Sequence, residues 1–465
     1  MDIRRNCMLI RFSVENFLSF DKEMSFSMVA GKASRMKSHV REINGKNILK
    51  TSMLFGANAS GKSNLIKAIG FAQSIVTTDL SSISLSKKYF RIRPDNEKKP
   101  GVFQFDLSID NKFYSYGFAV SYIHNLFEGE WLYETTKAKE VCVFSRERNP
   151  DGTYLVESDL KFENREEKKR YDVYLADYKD DHLCSTLFLS DIAKRSRDSK
   201  ELSILSSIFK WFRDMLVIFP NSKLNVWPVL LSHQSPQTLI VPYLSGFHTG
   251  ISDVTYQEIP FDTAFTNIPE LHRQTIQKDI LQTLNNTDQQ SVIFSNNGEI
   301  FSFFKEKGKE TIVKKLSFDH GNGNDLFSFS DESDGTQRLF DFIPLLFLSK
   351  RNSLILIDEL DRSLHSMISR KFLTLFVENS IDTESQLIFS THDVSLMDLS
   401  LVRQDEIWFI ERQNDQSSKL YSLNEYKIRY DKKVDHDYFL GRYGAIPFLD
   451  SLPKETLDGE NHEQI

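Results

Sequence analysis

Eight residues from position 56 to position 63 form a glycine-rich segment with the order Gly-Ala-Asn-Ala-Ser-Gly-Lys-Ser. Its glycines let backbone N–H groups turn inward onto phosphate oxygens, and a helix that follows presents its positive end to the same anion. We expect Lys62 to reach the β- and γ-phosphates and Ser63 to ligate Mg²⁺. The segment therefore predicts a site for ATP and Mg²⁺. The nucleotide-binding residues expected on this basis are Gly56, Asn58, Ser60, Gly61, Lys62, Ser63 and Asn64.

Two adjacent acids follow a short apolar segment much later in the chain. Residues 354–357 are all leucine or isoleucine, which predicts a buried strand, and Asp358 and Glu359 come directly after them. Asp358 can hold the Mg²⁺ shell together with Ser63, and Glu359 can orient or deprotonate an attacking water. Apolar strands often end in acids, so Glu359 can also be a solvated carboxylate. The preceding glycine-rich segment favours the catalytic interpretation.

A histidine ends another apolar strand, because His392 follows Phe389, Ser390 and Thr391. In a nucleotide site this imidazole can contact the γ-phosphate and report its presence. A lone histidine is more often structural. Its position one strand after the acids favours the functional interpretation.

Ser333 and Gly335 stand just before a predicted helix. A serine and a glycine at a helix N-terminus can form a second anion site, and they can equally be an ordinary helix cap. These residues alone leave both interpretations open.

Alternating strands and helices must position these groups. The glycine-rich segment lies between a strand that ends at Phe55 and a helix over 63–76, which is the context that a phosphate-binding loop needs. Residues 8–29 and 89–144 are strand-like, and residues 163–217 are helical and highly charged. The later elements predicted from the pattern are a helix over 269–284, a strand-rich stretch to 329, a helix over 337–349, a strand over 353–358, a helix over 365–379, a strand over 386–390 and a final strand over 407–410.

The composition of the 465-residue chain is ordinary, with 40% hydrophobic and 26% charged residues, and the length predicts two or three structural units. A net charge of -7 argues against a general nucleic-acid binder, so DNA contact would need a local basic patch. Three distant cysteines without metal-ligand spacing indicate a reducing compartment. The N-terminus lacks the apolar region of a signal peptide, and the apolar run over 340–348 is too short to span a membrane. We therefore expect a cytoplasmic protein without a membrane partner.

These motifs, in this order, resemble the ATP-binding-cassette (ABC) ATPase heads of the SMC/RecF/OLD class. The matching features are an opening segment over 14–20, a signature-like motif over 333–337, a loop over 360–365 after the Walker B strand, and His392 as the switch histidine. A closer resemblance, over nearly the whole chain, is to prokaryotic anti-phage ATPases of the abortive-infection, RloA-like type, which include the ATPase subunit of PARIS systems. The segments that carry it are 332–339, 357–361, 390–393 and 441–447.

The resemblance implies an α/β P-loop NTPase fold of ABC/SMC-head type, with a β-rich N-terminal lobe and a partly helical insertion. It also implies a homo-oligomer in which ATP lies between two heads. One copy would contribute Lys62, Ser63, Asp358 and Glu359, and the other copy Ser333 and Gly335. Hydrolysis would let the heads shift, so the output is a conformational state. The implied partners are a separate effector nuclease, for example of the Toprim type, and a phage-encoded trigger.

Two details depart from the ABC pattern. Asp334 and Thr336 are not the commonest signature residues of transporter-type cassettes. The Q-loop glutamine is not placed by the sequence: Gln104 is one candidate, and the alternative is that Gln104 is an ordinary strand residue.

The spacing of the motifs predicts the domain organisation. Ser63 and Asp358 are 295 positions apart, which is more than a minimal cassette needs and indicates an insertion. The insertion lacks heptads, so we expect a compact assembly or docking module and no coiled-coil arm. The residues after 410 are too few for a Toprim domain, so a nuclease is expected on another polypeptide. The predicted units are an N-terminal ATPase lobe with Walker A over 1–150, an insertion over 151–300, a C-terminal ATPase lobe with signature, Walker B and switch histidine over 301–412, and an extension over 413–465.

Two other functions remain open at this point. A RecF-like DNA-repair ATPase would use a basic strip, although the same residues can be scattered solvated side chains. The residues of that strip are Lys37, Arg41, Lys46, Lys50, Lys87, Lys88, Arg91 and Arg93. A transport cassette would dock on a permease, which the opening segment and the insertion argue against. The aromatic segment over 437–449 either packs on the core or docks a partner.

Overall fold

Strands and helices alternate along the chain in an α/β arrangement. The computed structural model describes residues 6–32, 35–136, 139–195, 199–222, 236–286, 291–296, 299–305, 310–323, 325–429 and 432–446. The strands in these ranges are β1 (Cys7–Glu15), β2 (Met24–Ser27), β3 (Val40–Ile43), β4 (Lys46–Leu49), β5 (Thr51–Phe55), β6 (Gly101–Ile109), β7 (Lys112–Ser121), β8 (Leu126–Thr135), β9 (Glu140–Arg148), β10 (Tyr154–Glu157), β11 (Leu216–Ile218), β12 (Asp253–Ile259), β13 (Ser291–Asn296), β14 (Glu299–Phe304), β15 (Ile312–Asp319), β16 (Leu354–Ile357), β17 (Gln386–Ser390), β18 (Ile407–Arg412) and β19 (Ser418–Ser422). The α-helices are α1 (Lys62–Thr77), α2 (Arg165–Asp177), α3 (Phe188–Arg195), α4 (Ser203–Asp214), α5 (Pro236–Leu239), α6 (Val241–Gly246), α7 (Glu270–Asn286), α8 (Asp334–Leu348), α9 (Ser366–Asn379) and α10 (Val434–Phe439).

A six-stranded sheet with the order β11-β16-β17-β5-β18-β19 carries the predicted motifs. Its first five strands are parallel, and β19 pairs antiparallel with β18. The inner strands β5, β16 and β17 are buried at every position and mostly apolar, as expected for parallel strands that are covered on both faces. Because the carboxyl ends of parallel strands meet at one edge, the residues that follow β5, β16 and β17 come together there.

A seven-stranded antiparallel sheet with the order β10-β9-β8-β7-β6-β1-β2 forms the second layer. Helix α1 packs between the two sheets, since one core cluster contains Ile66 of α1, Phe103 of β6 and Leu54 of β5. The helices α2, α3 and α4 extend this cluster, and the ring of Phe212 meets the ring of Phe105 edge-on at 4.8 Å. The apolar faces of both sheets therefore hold the first turn of α1 in place.

A four-stranded antiparallel sheet with the order β12-β15-β14-β13 rests on helix α8. The ring centroids of Phe318 and Phe340 lie 5.5 Å apart across this contact. At the end of β15, Nε2 of His320 lies 2.7 Å from Oε1 of Glu332, immediately before α8. The small sheet is thus joined directly to the helix that begins with the signature-like motif.

Most predicted elements appear within a few residues of their expected bounds, with two corrections. The helix expected over 337–349 begins earlier, at Asp334, because the Ser333 side chain caps it by accepting a hydrogen bond from the Thr336 amide. The strand expected to be final is not the last one: β18 runs to Arg412, and β19 follows it as an antiparallel partner. A polar segment over 413–417 forms the turn between these two strands.

The predicted insertion over 151–300 does not lie in a single place in the fold. Its strand β11 pairs in parallel with β16 in the six-stranded sheet, while β12 and β14 belong to the four-stranded sheet. Positions 196–198, 223–235, 287–290 and 297–298 of this region lie outside the described residues. The four domain boundaries therefore stay a prediction. No helix in the described ranges combines the length and the apolar character that crossing a bilayer demands.

Candidate functional site

The glycine-rich loop joins the end of β5 to the start of α1. A Cβ atom at Gly56 would collide with the carbonyl oxygen of Ile410, and one at Gly61 would collide with the Ser418 hydroxyl. Gly61 also has a φ of 114°, in the left-handed region that favours glycine. The Ser418 hydroxyl donates a hydrogen bond to the Ser60 carbonyl at 2.5 Å. The β18–β19 hairpin therefore presses on the loop, and only glycine fits at both contacts.

Lys62 is the first residue of α1, and its ammonium group points back into the loop. Nζ donates to the carbonyl oxygens of Gly56 at 2.6 Å and Ala57 at 3.1 Å. Burial lowers the pKa of Lys62 to about 8, although Asp358 and Glu359 oppose this shift. The charge of this ammonium group is therefore open to titration at mildly alkaline pH.

Ser63 and Asp358 are in direct contact at the edge of the sheet. The Ser63 hydroxyl donates to Oδ1 of Asp358 at 3.0 Å, and the Ser390 hydroxyl donates to the same oxygen at 2.6 Å. A hydroxyl and a carboxylate are hard oxygen donors, which fits Mg²⁺ held by few protein ligands and completed by phosphate oxygens and water. Within the described ranges, no group of three or more His, Cys, Asp or Glu residues is arranged to hold a metal ion by itself.

Glu359 follows Asp358 with a backbone φ of 55°, which is unusual for a residue with a side chain. Its amide donates to the Ser390 hydroxyl at 2.8 Å. The residue is half-buried and lines the same cleft as Lys62 and Ser63. The turn therefore directs the Glu359 carboxylate toward the cleft while Asp358 stays buried.

His392 lies on the other side of the cleft. Its amide donates to both carboxylate oxygens of Asp361, each at 3.2 Å. Burial and then the Lys62 ammonium lower the pKa of the His392 imidazole, while Asp361 and Glu359 act in the opposite direction. The imidazole is thus favoured in its neutral form at neutral pH.

The cleft has a volume of 740 Å³. The predicted residues that line it are Asn58, Ser60, Gly61, Lys62, Ser63, Asn64, Glu359 and His392. Gly56 and Asp358 lie just behind them. Arg412 and Gln416, from the β18–β19 hairpin, also line the cleft and were not identified from the sequence, because no local motif marks them. Lys67, Lys87 and Arg91 bring further positive charge to its walls.

Ser333 and Gly335 are not among the residues that line this cleft. The Ser333 hydroxyl is exposed and lies 2.9 Å from the Thr336 hydroxyl at the N-terminus of α8. A Cβ atom at Gly335 would lie 2.8 Å from the Ser363 carbonyl oxygen, so α8 approaches the loop after the acids closely. One chain therefore presents the two predicted halves of the site at different places.

Other sequence candidates form hydrogen bonds or ion pairs with residues that do not line the cleft. Gln104 does not line the cleft; its Nε2 lies 3.4 Å from Asp106, and its Oε1 accepts from the Trp131 indole at 3.3 Å. The predicted basic strip is interrupted. Lys50 is 1% exposed and donates to the Ile381 carbonyl at 2.8 Å, while Arg93 pairs with Asp21 at 2.9 Å. These contacts occupy both cations and interrupt the strip. A charge pattern along the sequence does not reveal such contacts.

The aromatic segment near the C-terminus packs on β18. The rings of Tyr438 and Tyr443 stack on Phe409, with centroids 5.6 Å and 6.0 Å away. Phe439, between them, is 70% exposed. Residues 447–449 of the predicted segment lie outside the described ranges. The buried tyrosines belong to the core, and Phe439 is left on the surface.

A family model described as "AAA domain, putative AbiEii toxin, Type IV TA system" matches residues 52–226 and 242–398, which is more than half of the chain. The matched segments contain the glycine-rich loop, both acids and His392. No curated protein matches the chain. The α/β fold, with the glycine-rich loop and the acids at one edge of a parallel sheet, confirms the α/β fold class predicted for a P-loop NTPase.

Several solved structures are similar to this chain at low sequence identity. The SMC head domain from Thermotoga maritima is 13% identical, with a TM-score of 0.36, covering 90% of this chain and 100% of that chain. The Smc head bound to the C-winged helix domain of ScpA is 15% identical, with a TM-score of 0.35 and coverage of 90% and 99%. The Smc head domain with an extended coiled coil bound to the C-terminal domain of ScpA, derived from Pyrococcus furiosus, is also 15% identical, with a TM-score of 0.35 and coverage of 90% and 97%.

Proposed function

This chain belongs to the AAA-domain family of AbiEii toxins and type IV toxin–antitoxin systems, and from that premise we propose that it binds and hydrolyses ATP between two copies of itself. The observation that carries the proposal is the contact between Ser63 and Asp358 beside Glu359. A phosphate-binding loop, a magnesium-binding pair and a water-activating carboxylate meet in one cleft. This combination fits phosphoryl transfer to water.

The residues of the cleft divide the work of hydrolysis. Lys62 and the loop amides bind the β- and γ-phosphates, and the positive end of α1 faces the same charge. Ser63 and Asp358 would hold Mg²⁺, which would supply charge neutralisation at the phosphates. Glu359 orients the attacking water and accepts its proton. A neutral His392 donates a hydrogen bond to the γ-phosphate and responds to its loss.

The second half of the site comes from another copy of the chain. The exposed Ser333 hydroxyl and the N-terminus of the fifteen-residue helix α8 form an anion-binding surface away from the cleft of their own chain. The γ-phosphate in one copy completes this surface in the other, so ATP joins the two copies. Hydrolysis weakens that bond and lets them separate.

In the cell, we assign this ATP-dependent assembly to anti-phage defence of the abortive-infection type. The family description and the resemblance to RloA-like and PARIS ATPases support this role. The assembly would act as a sensor and scaffold that holds a separate effector nuclease, for example of the Toprim type, until a phage-encoded trigger releases it. The output is then the state of the assembly and not the ADP that it forms.

A first experiment measures hydrolysis and assembly on the purified chain. We expect Mg²⁺-dependent release of phosphate from ATP, and a larger molecular mass by light scattering with ATP than with ADP. A mass that is the same with both nucleotides would refute the ATP-joined assembly. An absence of phosphate release under both conditions would refute the hydrolytic role.

A second experiment tests the effector. The chain is co-expressed with the product of the adjacent gene, and growth and nuclease activity are compared for the parent and the Lys62→Ala variant. We expect the parental chain to keep the effector silent until infection. If the effector is equally toxic with and without the parental chain, the scaffold role is contradicted.

A further inference from the structure

Ser390 lies at the carboxyl end of β17, beside the turn that carries both acids, and it is fully buried with 0% exposure. Its hydroxyl donates to Oδ1 of Asp358 at 2.6 Å and accepts from the Glu359 amide at 2.8 Å. Its backbone carbonyl accepts from the Leu360 amide at 3.0 Å. One residue thus makes three hydrogen bonds to three successive positions of the turn.

The turn needs this support because Glu359 has its backbone in the left-handed region, with φ at 55°. A residue with a side chain stays in that region only where its surroundings hold it. A partly buried amide that loses its acceptor is disfavoured, so the Ser390 hydroxyl stabilises this conformation. The direction in which the Glu359 carboxylate leaves the strand therefore depends on Ser390.

The hydrogen bonds also fix where the Ser390 proton points. A hydroxyl has one proton to donate and two lone pairs that accept. The Glu359 amide can only donate, so it occupies a lone pair, and the proton is directed to Asp358. Oδ1 of Asp358 accepts a second hydrogen bond, from the Ser63 hydroxyl. Two hydroxyls thereby set the plane of the carboxylate that faces the metal shell.

Ser390 also connects the acids to the histidine side of the cleft. It stands two positions before His392 on the same strand end, and the amide of Thr391 between them donates to the Leu54 carbonyl of β5 at 3.2 Å. Ser390 and His392 therefore belong to one short segment that is anchored to β5 and connects the acids with the histidine side of the cleft.

We propose that Ser390 is a positioning residue that holds the magnesium-side carboxylate of Asp358 and the water-side carboxylate of Glu359 in one shared geometry. The proposal rests on the ATPase function proposed above. Its physical basis is that a single hydroxyl contacts both acids, so loss of that hydroxyl disturbs metal binding and water activation together.

The test compares Ser390→Ala with Ser369→Ala. Ser369 is also fully buried, and its hydroxyl has no hydrogen-bond partner among the described residues, which makes it a matched control. The readouts are the Mg²⁺ concentration for half-maximal enhancement of ADP binding, the ADP affinity without Mg²⁺, and kcat and KM for ATP. For Ser390→Ala we expect the Mg²⁺ midpoint to rise and kcat to fall, each by about 10–100-fold, the range seen when a partner of a metal ligand is removed. The Mg²⁺-free ADP affinity should change by less than about twofold, since the phosphate loop is untouched.

The proposal is overturned if Ser390→Ala and Ser369→Ala shift the Mg²⁺ midpoint equally, or if Ser390→Ala shifts neither the midpoint nor kcat. If Ser390→Ala does not fold, Ser390→Cys and Ser390→Thr decide the question, because Cys keeps the volume without a strong donor and Thr keeps the hydroxyl. Rescue by Thr but not by Cys supports the proposal, and equal behaviour of the two contradicts it. If the parental chain releases no phosphate, the ATPase function fails, while the Mg²⁺ midpoint for ADP still tests Ser390.

Discussion

The Ser63 hydroxyl donates a hydrogen bond to Oδ1 of Asp358 at 3.0 Å, although 295 positions of the chain separate the two residues. Ser63 belongs to helix α1, which follows the glycine-rich loop after β5, and Asp358 follows β16, which lies two strands from β5 in the same sheet. This contact brings together the two protein oxygens expected to face Mg²⁺.

Binding of ATP should weaken as the pH rises through about 8. Burial lowers the pKa of Lys62 to about 8, and only the protonated ammonium attracts the phosphates. Above that pH the dissociation constant should rise by up to about tenfold per pH unit, with uptake of a proton on binding. Calorimetry in buffers of different ionisation enthalpy measures both quantities. Lys62→Arg, which does not titrate in this range, should remove most of the dependence, and Lys62→Ala should bind ATP weakly throughout. The same pH slope in the parent and in Lys62→Arg would exclude Lys62 as the titrating group.

Glu359→Gln should bind ATP but hydrolyse it poorly, because the amide cannot accept a proton from water. We expect single-turnover hydrolysis to slow by about 10²–10⁴-fold. The enlarged assembly should persist with ATP, as measured by light scattering. Glu378→Gln, at an exposed position on α9, is the matched control and should behave like the parent. A parental rate in Glu359→Gln would remove Glu359 from the role of base.

Two inactive variants should restore activity when they are mixed, if the site is shared between copies. Ser333→Asp keeps a side-chain acceptor for the cap of α8 but places a negative charge where the γ-phosphate must come. Lys62→Ala spoils the other half of the site. A mixed dimer has one site that combines the intact Lys62 and the intact Ser333, so random mixing should recover about a quarter of the parental rate. Phosphate release measured across mixing ratios tests this. Activity that stays at the level of the separate variants would rule out a shared site.

We expect Tyr438 to contribute to the stability of the core and Phe439, which is exposed, to contribute little. Tyr438 is 7% exposed and its hydroxyl donates to the Ala445 carbonyl at 2.9 Å. Tyr438→Ala should lower the free energy of unfolding by about 3–5 kcal/mol, as for other large buried aromatics. Phe439→Ala should change it by less than about 0.5 kcal/mol. Chemical denaturation gives both values. Equal losses would contradict the packing, and a Phe439→Ala variant that is stable but loses the effector would identify a docking residue.

The sequence predicted the site residues that belong to short, local motifs. The glycine-rich loop and the two acids could be identified because each combines a special residue type with an apolar strand, and the carboxyl ends of parallel strands share an edge. The role of Ser390 could not be identified in this way, although its segment pointed to His392, because its contacts with both acids depend on the pairing of β16 with β17. Arg412 was not predicted for a related reason. It reaches the cleft only because β18 pairs with β19, and that pairing depends on tertiary packing.

Charge patterns were the least informative part of the sequence. Lys50 and Arg93 looked like members of an exposed basic strip, yet one is buried against a carbonyl and the other is paired with acids. The Lys50 carbonyl partner and one acid that pairs with Arg93, Asp415, each lie more than 300 positions away in the sequence. Electrostatic roles depend on such contacts, which the order of residues along the chain does not reveal.

The close contact of the β18–β19 hairpin with Gly56 and Gly61 affects when the glycine-rich loop can be completed during synthesis. The loop emerges early from the ribosome, whereas Ile410 and Ser418, which close against it, are synthesised much later. Strand β5 likewise lies between β17 and β18, both from the last quarter of the chain. Contacts of such long sequence separation form late in folding. A nascent chain that ends before β19 therefore lacks Ser418, one of the residues that close against the glycine-rich loop.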